Sequence, residues 1–282
     1  MKEILNKQPL KQSEGKVGVF DSGVGGLSIL RVFRERLPGQ PIIYFADQHH
    51  VPYGPRPVEE IRAFSEEISR YLISRGVVLI IVACNTASAA ALEHIRKTFP
   101  QIDFVGMEPA VKPAAERTTT GVIGVLATPA TLKGNLFVET SRRFAQHVKV
   151  FKHPCPGLVE QIEAGNLSGQ QTRSILENAL NPMLENNVDT IVLGCTHYPF
   201  VLPLIKEIVG QDIEVIEPAN AIARRSVELL EKRGLLQEVS LSKLEIITSG
   251  DPKPLKRLLP LMGKYDHLKT IEWQSGKLSY EI

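Results

Sequence analysis

Short runs of consecutive apolar residues, each stopped by glycine or a small polar residue, alternate along the chain with segments of helical spacing. The runs fall at 17–20, 42–45, 77–83, 103–106, 122–126, 148–151, 189–193 and 213–216 and are rich in Val and Ile. Runs this nearly continuous suit strands covered on both faces, as in a parallel sheet. Helical patterns lie between them at 27–37, 58–74, 88–98, 131–145, 157–164, 170–185 and 200–209. Strand–helix alternation of this kind predicts an α/β architecture.

The pattern also repeats. VVLIIVACNTA at 77–87 lines up with VDTIVLGCTHY at 188–198 at an offset of 111, which sets Cys84 on Cys195. KVGVFDS at 16–22 lines up with VIGVLAT at 122–128 at an offset of 106, setting Ser22 on Thr128 and Asp21 on Ala127. IIYFAD (42–47) then matches VKVFKH (148–153), and Glu108-Pro109-Ala110 matches Glu217-Pro218-Ala219. Matches in the same order along both halves imply two pseudo-symmetric α/β domains with mainly parallel sheets and a shared cleft. The first is expected to span 16–116 plus 219–282 and the second 117–218, behind a polar lead at 1–15. Past Ala219 come a helix at about 220–233, a strand at 244–248, a further helix and a last strand near 270–273, all outside the repeat.

In parallel α/β sheets, ligands bind beyond the carboxyl ends of the strands. Cys84 and Cys195 both fall there, each between an apolar strand and a helical pattern. Two domains facing each other would set these thiols on opposite walls of one cleft. Stereoinversion needs that arrangement: a base removes a proton from one face of a carbon and an acid returns one to the other. A thiol titrates near pKa ~8.5 and responds strongly to its surroundings, so one can stand as thiolate while its partner stays protonated. Helix N–H groups at the strand-to-helix junctions would favour the thiolate, and Asn85-Thr86 and Thr196-His197 offer polar groups there.

The competing reading of a cysteine is a small buried hydrophobe. It accounts for Cys155, which has no counterpart in the other half, but poorly for two cysteines at matched positions. Asp21 ends an apolar strand that has no need of a carboxylate, and Ala127 stands at its matched position, so Asp21 is expected to serve one face of the cleft and one thiol. His197 is its natural counterpart opposite, against the alternative of a surface or capping histidine. The glycines of Asp21-Ser22-Gly23-Val24-Gly25-Gly26 would let backbone approach a ligand. The stretch is neither G-x-G-x-x-G nor a P-loop, which argues against a nucleotide. His49, His50, His147 and His153 lack HxxxH or HExxH spacing, so no metal is expected.

Composition narrows the classes further. Forty-three per cent apolar and 23 per cent charged residues in 282 suit a globular protein. A formal charge of +2 gives no basic face for nucleic acid. No run approaches the roughly 18 apolar residues of a membrane helix, and MKEILNKQPLKQSEGK is not a signal peptide. Three cysteines without CxxC spacing argue against a disulfide framework, a structural zinc site and thiol-redox chemistry, and point to the cytoplasm.

FDSGVGGLSIL (20–30), FADQHHVPYG (45–54), VACNTASA (82–89), GVLATPAT (124–131), CPGLVEQIEAG (155–165) and LGCTHYPF (193–200) together resemble the glutamate racemases of the aspartate/glutamate racemase family, over nearly all of 16–220. The resemblance implies cofactor-independent interconversion of L- and D-glutamate, with no pyridoxal phosphate or metal, supplying D-glutamate for peptidoglycan. It implies that Cys84 acts on the D-isomer and Cys195 on the L-isomer. Asp21-Ser22, Tyr53-Gly54, Asn85-Thr86 and Thr196-His197 match the family's substrate-contacting pairs. Thr128 and Thr131 fall on a further contacting segment, and Glu163 on a carboxylate that supports the histidine. The partner implied is a small molecule, glutamate, with no nucleic acid and no membrane, and a homodimer is allowed for. His49-His50 and Glu217 depart from the common pattern. The motifs contain no arginine, so neutral donors and helix N-termini would hold the substrate carboxylates. Racemisation of aspartate or a hydantoin, and a two-lobed binding protein without turnover, stand as alternatives.

Racemisation is expected to proceed without added pyridoxal phosphate, nucleotide or metal. Activity lost on exhaustive chelation and restored by one metal would overturn this.

Overall fold

The computed structural model describes residues 15–237, 242–262 and 265–279, so the polar lead, except Gly15, lies outside the described residues. Strands β1 (Val17–Asp21), β2 (Ile42–Ala46), β3 (Leu79–Val82) and β4 (Asp103–Gly106) pair in the order β2-β1-β3-β4. Strands β5 (Val122–Ala127), β6 (Lys149–His153), β7 (Thr190–Gly194) and β8 (Glu214–Ile216) pair in the order β6-β5-β7-β8. Every pairing in both sheets is parallel. The sequence repeat is therefore a repeat of sheet topology, with β1 answering to β5 and β3 to β7.

Helices α1 (Leu27–Arg36), α2 (Val58–Ser74) and α3 (Asn85–Thr98) belong to the first repeat, and α4 (Val111–Arg117) leads into the second. The second carries α5 (Pro129–Lys133), α6 (Asn135–Phe144), α7 (Leu158–Glu163), α8 (Gln170–Glu185) and α9 (Leu202–Val209). After α10 (Ala219–Lys232), the strands β9 (Leu244–Thr248) and β10 (His267–Thr270), joined through α11 (Lys253–Leu258), extend the first sheet beside β2. An antiparallel hairpin, β11 (Glu272–Gln274) with β12 (Lys277–Ser279), ends the described chain.

Local chemistry explains these elements. All five residues of β2 are buried, as a strand covered on both faces requires. In α2 the buried Ile61, Ser65, Ile68 and Leu72 recur at helical spacing, and Glu59 and Glu60 stand in the first turn, where the helix dipole favours anions. Val24, Leu27 and Leu30 share a buried cluster with Leu158, Ile162, Leu193 and Tyr198, so the apolar core runs from one half into the other. Among the described residues no helix is long and apolar enough to cross a membrane.

Four elements differ from the sequence expectation. The helix expected over 131–145 is broken at Gly134, whose extended backbone (ψ 142°) separates α5 from α6. α4 was not expected: seven residues with Val111 and Ala114 buried are too few to show a period. The helix expected at 200–209 opens as a 3-10 turn at Tyr198–Val201, with Pro199 near its start. The last strand, expected near 270–273, divides between β10 and β11.

β2 and β3 flank β1 on opposite sides, so the carboxyl ends of β1 and β3 form a topological switch point, and those of β5 and β7 form its counterpart. Ser22, Thr128 and Cys195 follow β1, β5 and β7 directly, and Cys84 follows β3 after Ala83. The chain enters the second repeat through a turn pinned by Asp189. One carboxylate oxygen accepts Thr118 Oγ1 at 2.6 Å, and the other accepts Thr119 N at 2.6 Å and Thr120 N at 2.9 Å. Desolvation opposes the charge, but these donors outweigh it and hold the carboxyl well below the usual carboxylate range.

Asp189→Ala is expected to destabilise the fold by about 1–3 kcal/mol in denaturant unfolding. Because the folded pKa is depressed, this stabilisation is present above the ordinary carboxylate range and is lost only as pH falls through the folded value. An unchanged midpoint would show the turn to be held by other contacts.

Candidate active site

A cavity of about 240 Å³ opens where the two switch points face each other. Ser22, Tyr53, Gly54, Cys84, Asn85 and Thr86 line it from the first repeat, and Thr128, Cys155, Cys195, Thr196, His197 and Tyr198 from the second. Of the residues expected at the site, Asp21, Thr131 and Glu163 do not line it and stand behind the walls.

Cys84 is the N-cap of α3, and its sulfur accepts the Ala87 N–H at 3.4 Å. The thiol lies 3.7 Å from Ser22 Oγ and can donate to it. Burial, followed by the charge of Asp21, pushes this thiol well up, and the hydrogen bonds with Ala87 and Ser22 only partly offset that. Cys84 is therefore a neutral thiol in this state. Asp21 is fully buried. Its Oδ2 accepts Gly26 N at 2.9 Å and Gly23 N at 3.3 Å, while Oδ1 has no partner. Burial raises its pKa against the pull of His197. It reaches the thiol by charge through the floor of the site, with no hydrogen bond between them.

The second wall is built differently. Cys195 follows β7, but no α-helix starts there, so the helix N-terminus expected beside this thiol is absent. An imidazole takes its place: His197 Nδ1 lies 3.9 Å from Cys195 Sγ, and Nε2 lies 2.6 Å from Glu163 Oε1. Burial works against a charged His197, yet Cys195 and Glu163 outweigh it and raise its pKa well above the usual histidine value. Burial likewise opposes the Glu163 charge, but hydrogen bonds from His197, Gln48 and Val24 bring its pKa below the usual range. The two shifts agree on one state, imidazolium facing carboxylate.

The glycine loop closes over this pair. A Cβ on Gly23 would stand 2.0 Å from Glu163 Oε1, and one on Gly25 would stand 2.5 Å from His197 Nδ1. Only glycine at these two positions lets the first repeat close over the second. Val24 N then reaches Glu163 Oε1 at 2.9 Å.

Between the walls the hydroxyls of Thr86, Thr128 and Thr131 form a chain with spacings of 2.9 and 3.0 Å. Asn85 lines the cavity, and both polar atoms of its side chain are buried without a partner among the described residues. Among the described residues no lysine or arginine lines the cavity, and one carboxylate, Glu160, does, so the favourable contacts for an acidic ligand there are neutral donors and the His197 imidazolium.

Sequence reasoning missed four participants. Cys155 was taken as a core residue apart from the cleft; it is buried, but it lines the cavity, with its sulfur 3.5 Å from His153 Nδ1 and its pKa pushed up to about 12 by burial. Its lack of a repeat partner hid this. Asp47, fully buried, accepts Tyr53 OH at 2.6 Å, Ser249 Oγ at 2.5 Å and Trp273 Nε1 at 2.8 Å, and so ties the cavity wall to the chain beyond the repeat. His50, one of the histidines weighed for metal, has its Nδ1 2.9 Å from the same carboxylate. Gln48, inside the motif FADQHHVPYG, donates to Glu163 Oε2 at 2.9 Å. Only the motif's position signalled the last two.

The model of the family described as Asp/Glu/Hydantoin racemase matches residues 27–225. A glutamate racemase from Pseudomonas paraeruginosa is 50% identical over 246 residues, 87% of this chain and 93% of that protein. The Escherichia coli glutamate racemase crystallised with L-glutamate and the activator UDP-MurNAc-ala superposes with a TM-score of 0.81 at 32% identity, over 91% of this chain and 98% of the other. That from Francisella tularensis, crystallised with D-glutamate, superposes with a TM-score of 0.80 at 28% identity, over 92% and 98%.

His197 is expected to be an imidazolium at neutral pH, and Glu163→Gln to return its titration toward the ordinary range, as read from imidazole nitrogen shifts by NMR. Because the folded pKa is raised, the stability this charge contributes is complete below the ordinary histidine pKa and lost as pH rises through the folded value. A His197 that titrates normally in the unsubstituted protein would contradict the assignment.

Proposed function

The chain belongs to the Asp/Glu/Hydantoin racemase family and is an amino-acid racemase, and from that premise we propose that it interconverts L- and D-glutamate by proton transfer between Cys84 and Cys195, in the cytoplasm, supplying D-glutamate for peptidoglycan. The observation that carries this reading is the pair of thiols at topologically equivalent strand ends, both lining one cavity. Relatives holding L-glutamate and D-glutamate support the substrate. The residues 16–116 with 219–282, and 117–218, would act as two domains closing on it.

The steps follow from the two environments. Cys195, with the His197 imidazolium beside its sulfur to stabilise negative charge, takes the α-proton of L-glutamate as thiolate. Cys84, kept protonated by burial and the nearby Asp21, delivers its proton to the opposite face of the carbanion. The result is D-glutamate, a Cys195 thiol and a Cys84 thiolate; the reverse reaction runs the same transfers backwards. Asn85 and the Thr86–Thr128 pair supply unclaimed or exchangeable hydrogen bonds for the substrate carboxylates. Thr196, Tyr53 and Gly54 shape the walls, and the Tyr53 hydroxyl is committed to Asp47.

Cys84→Ser and Cys195→Ser are each expected to lower racemisation by roughly 10²–10⁴-fold or more, the scale of positioned acid–base catalysis. Cys155→Ser should largely keep the activity, since that thiol has no mate across the cavity. Solvent deuterium should enter the α-position in the unsubstituted enzyme, whereas binding without turnover would exchange nothing. Substantial racemisation in either Cys84→Ser or Cys195→Ser would overturn the two-thiol mechanism.

A further inference from the structure

Gln48 has no part in the steps above and does not line the cavity. It follows β2 in the first repeat, partly buried, and its amide donates to Glu163 Oε2 at 2.9 Å. Glu163 ends α7 in the second repeat. Its other oxygen accepts Val24 N at 2.9 Å and pairs with His197 Nε2 at 2.6 Å. A carboxylate held through one oxygen can swing about its soft terminal torsion. A donor on the second oxygen removes that freedom and favours the charged form. Gln48 and Glu163 belong to different repeats, so separating the two repeats breaks the bond.

We propose that Gln48 is a positioning residue for the Cys195 half of the reaction: reaching across from the opposite repeat, it locks Glu163 so that His197 stays aimed at Cys195 Sγ, and only while the two halves are closed. The proposal rests on the two-thiol reading. The aim of His197 at Cys195 is thereby tied to closure over substrate, whereas the hydrogen bonds of Cys84, to Ala87 N and Ser22 Oγ, lie within its own repeat. The other titratable groups acting on this carboxylate from neighbouring elements are His197, Asp21 at the end of β1 and Tyr44 of β2.

Two substitutions test it. Gln48→Met keeps the length of the side chain and removes the donor. It is expected to lower kcat by about tenfold, within the range for a misplaced catalytic group. The primary deuterium isotope effect on kcat/KM should rise for the isomer that Cys195 deprotonates and fall for the other. Gln48→Glu sets a second carboxylate against Glu163 and should be slower still at neutral pH. Its rate relative to the unsubstituted enzyme should recover as pH falls, because a proton shared between the two carboxyls restores a donor; Gln48→Met should show no such recovery. A role in packing alone would produce neither the opposed isotope effects nor the acid-side rescue. Unchanged isotope effects in Gln48→Met, or no relative recovery in Gln48→Glu, would overturn the role of Gln48. If Cys195→Ser racemised glutamate, the mechanism underneath would fail instead, so the two failures are distinguishable.

Discussion

A carboxylate and an imidazolium buried against each other at the seam between two repeats set the terms for the rest of this molecule. Removing both charges from water is expensive, and their attraction repays it only with good geometry and with the remaining lone pairs satisfied. Glu163 meets that demand with donors from three places: His197 of its own repeat, and Val24 N–H and Gln48 from the other. The halves must therefore meet closely, and the loop after β1 must carry glycine where it passes over the pair. The same contact charges the imidazole beside Cys195.

The fold is symmetric and its site is not. Cys84 and Cys195 occupy equivalent places, yet one is attended by a helix N-terminus, a serine hydroxyl and a buried aspartate, the other by an imidazolium. A reaction that reverses the configuration of a single carbon needs proton donors and acceptors on two faces. Nothing requires the two faces to be prepared by the same means. The repeat supplies matched positions, and each wall has its own surroundings: burial and the nearby Asp21 raise the pKa of Cys84, and an imidazolium stands beside Cys195.

The chain beyond the repeat has its own part in this. β9 and β10 widen the first sheet, and Ser249 and Trp273 converge on Asp47, which fixes the Tyr53 hydroxyl. A cavity wall made of a loop would otherwise rely on backbone alone; here a buried carboxylate with several donors anchors it. The repeat without this extension would leave Asp47 with fewer partners in a dry interior.

Much was legible in the sequence because its signals are local. Continuous apolar runs determined parallel strands, buried at the sheet centres but partly exposed at the edges in β6 and β8, and the internal match of 77–87 with 188–198 determined that Cys84 and Cys195 follow equivalent strands. Short or interrupted elements were not legible: α4 is too brief to show a period, and the break at Gly134 depends on how α5 and α6 turn between their neighbours. Nor were the contacts that join distant segments. Cys155 has no repeat partner and reads as core, yet the meeting of the two repeats makes it part of the cavity wall. Gln48 lies 115 positions from Glu163, and Trp273 lies 226 from Asp47, separations over which no sequence period carries information. By itself the sequence determined the strands, their repeat and the two thiols. Only the tertiary structure decided what surrounds each thiol, because charge state and hydrogen-bond partners follow from burial and from which side chains the packed sheets bring together.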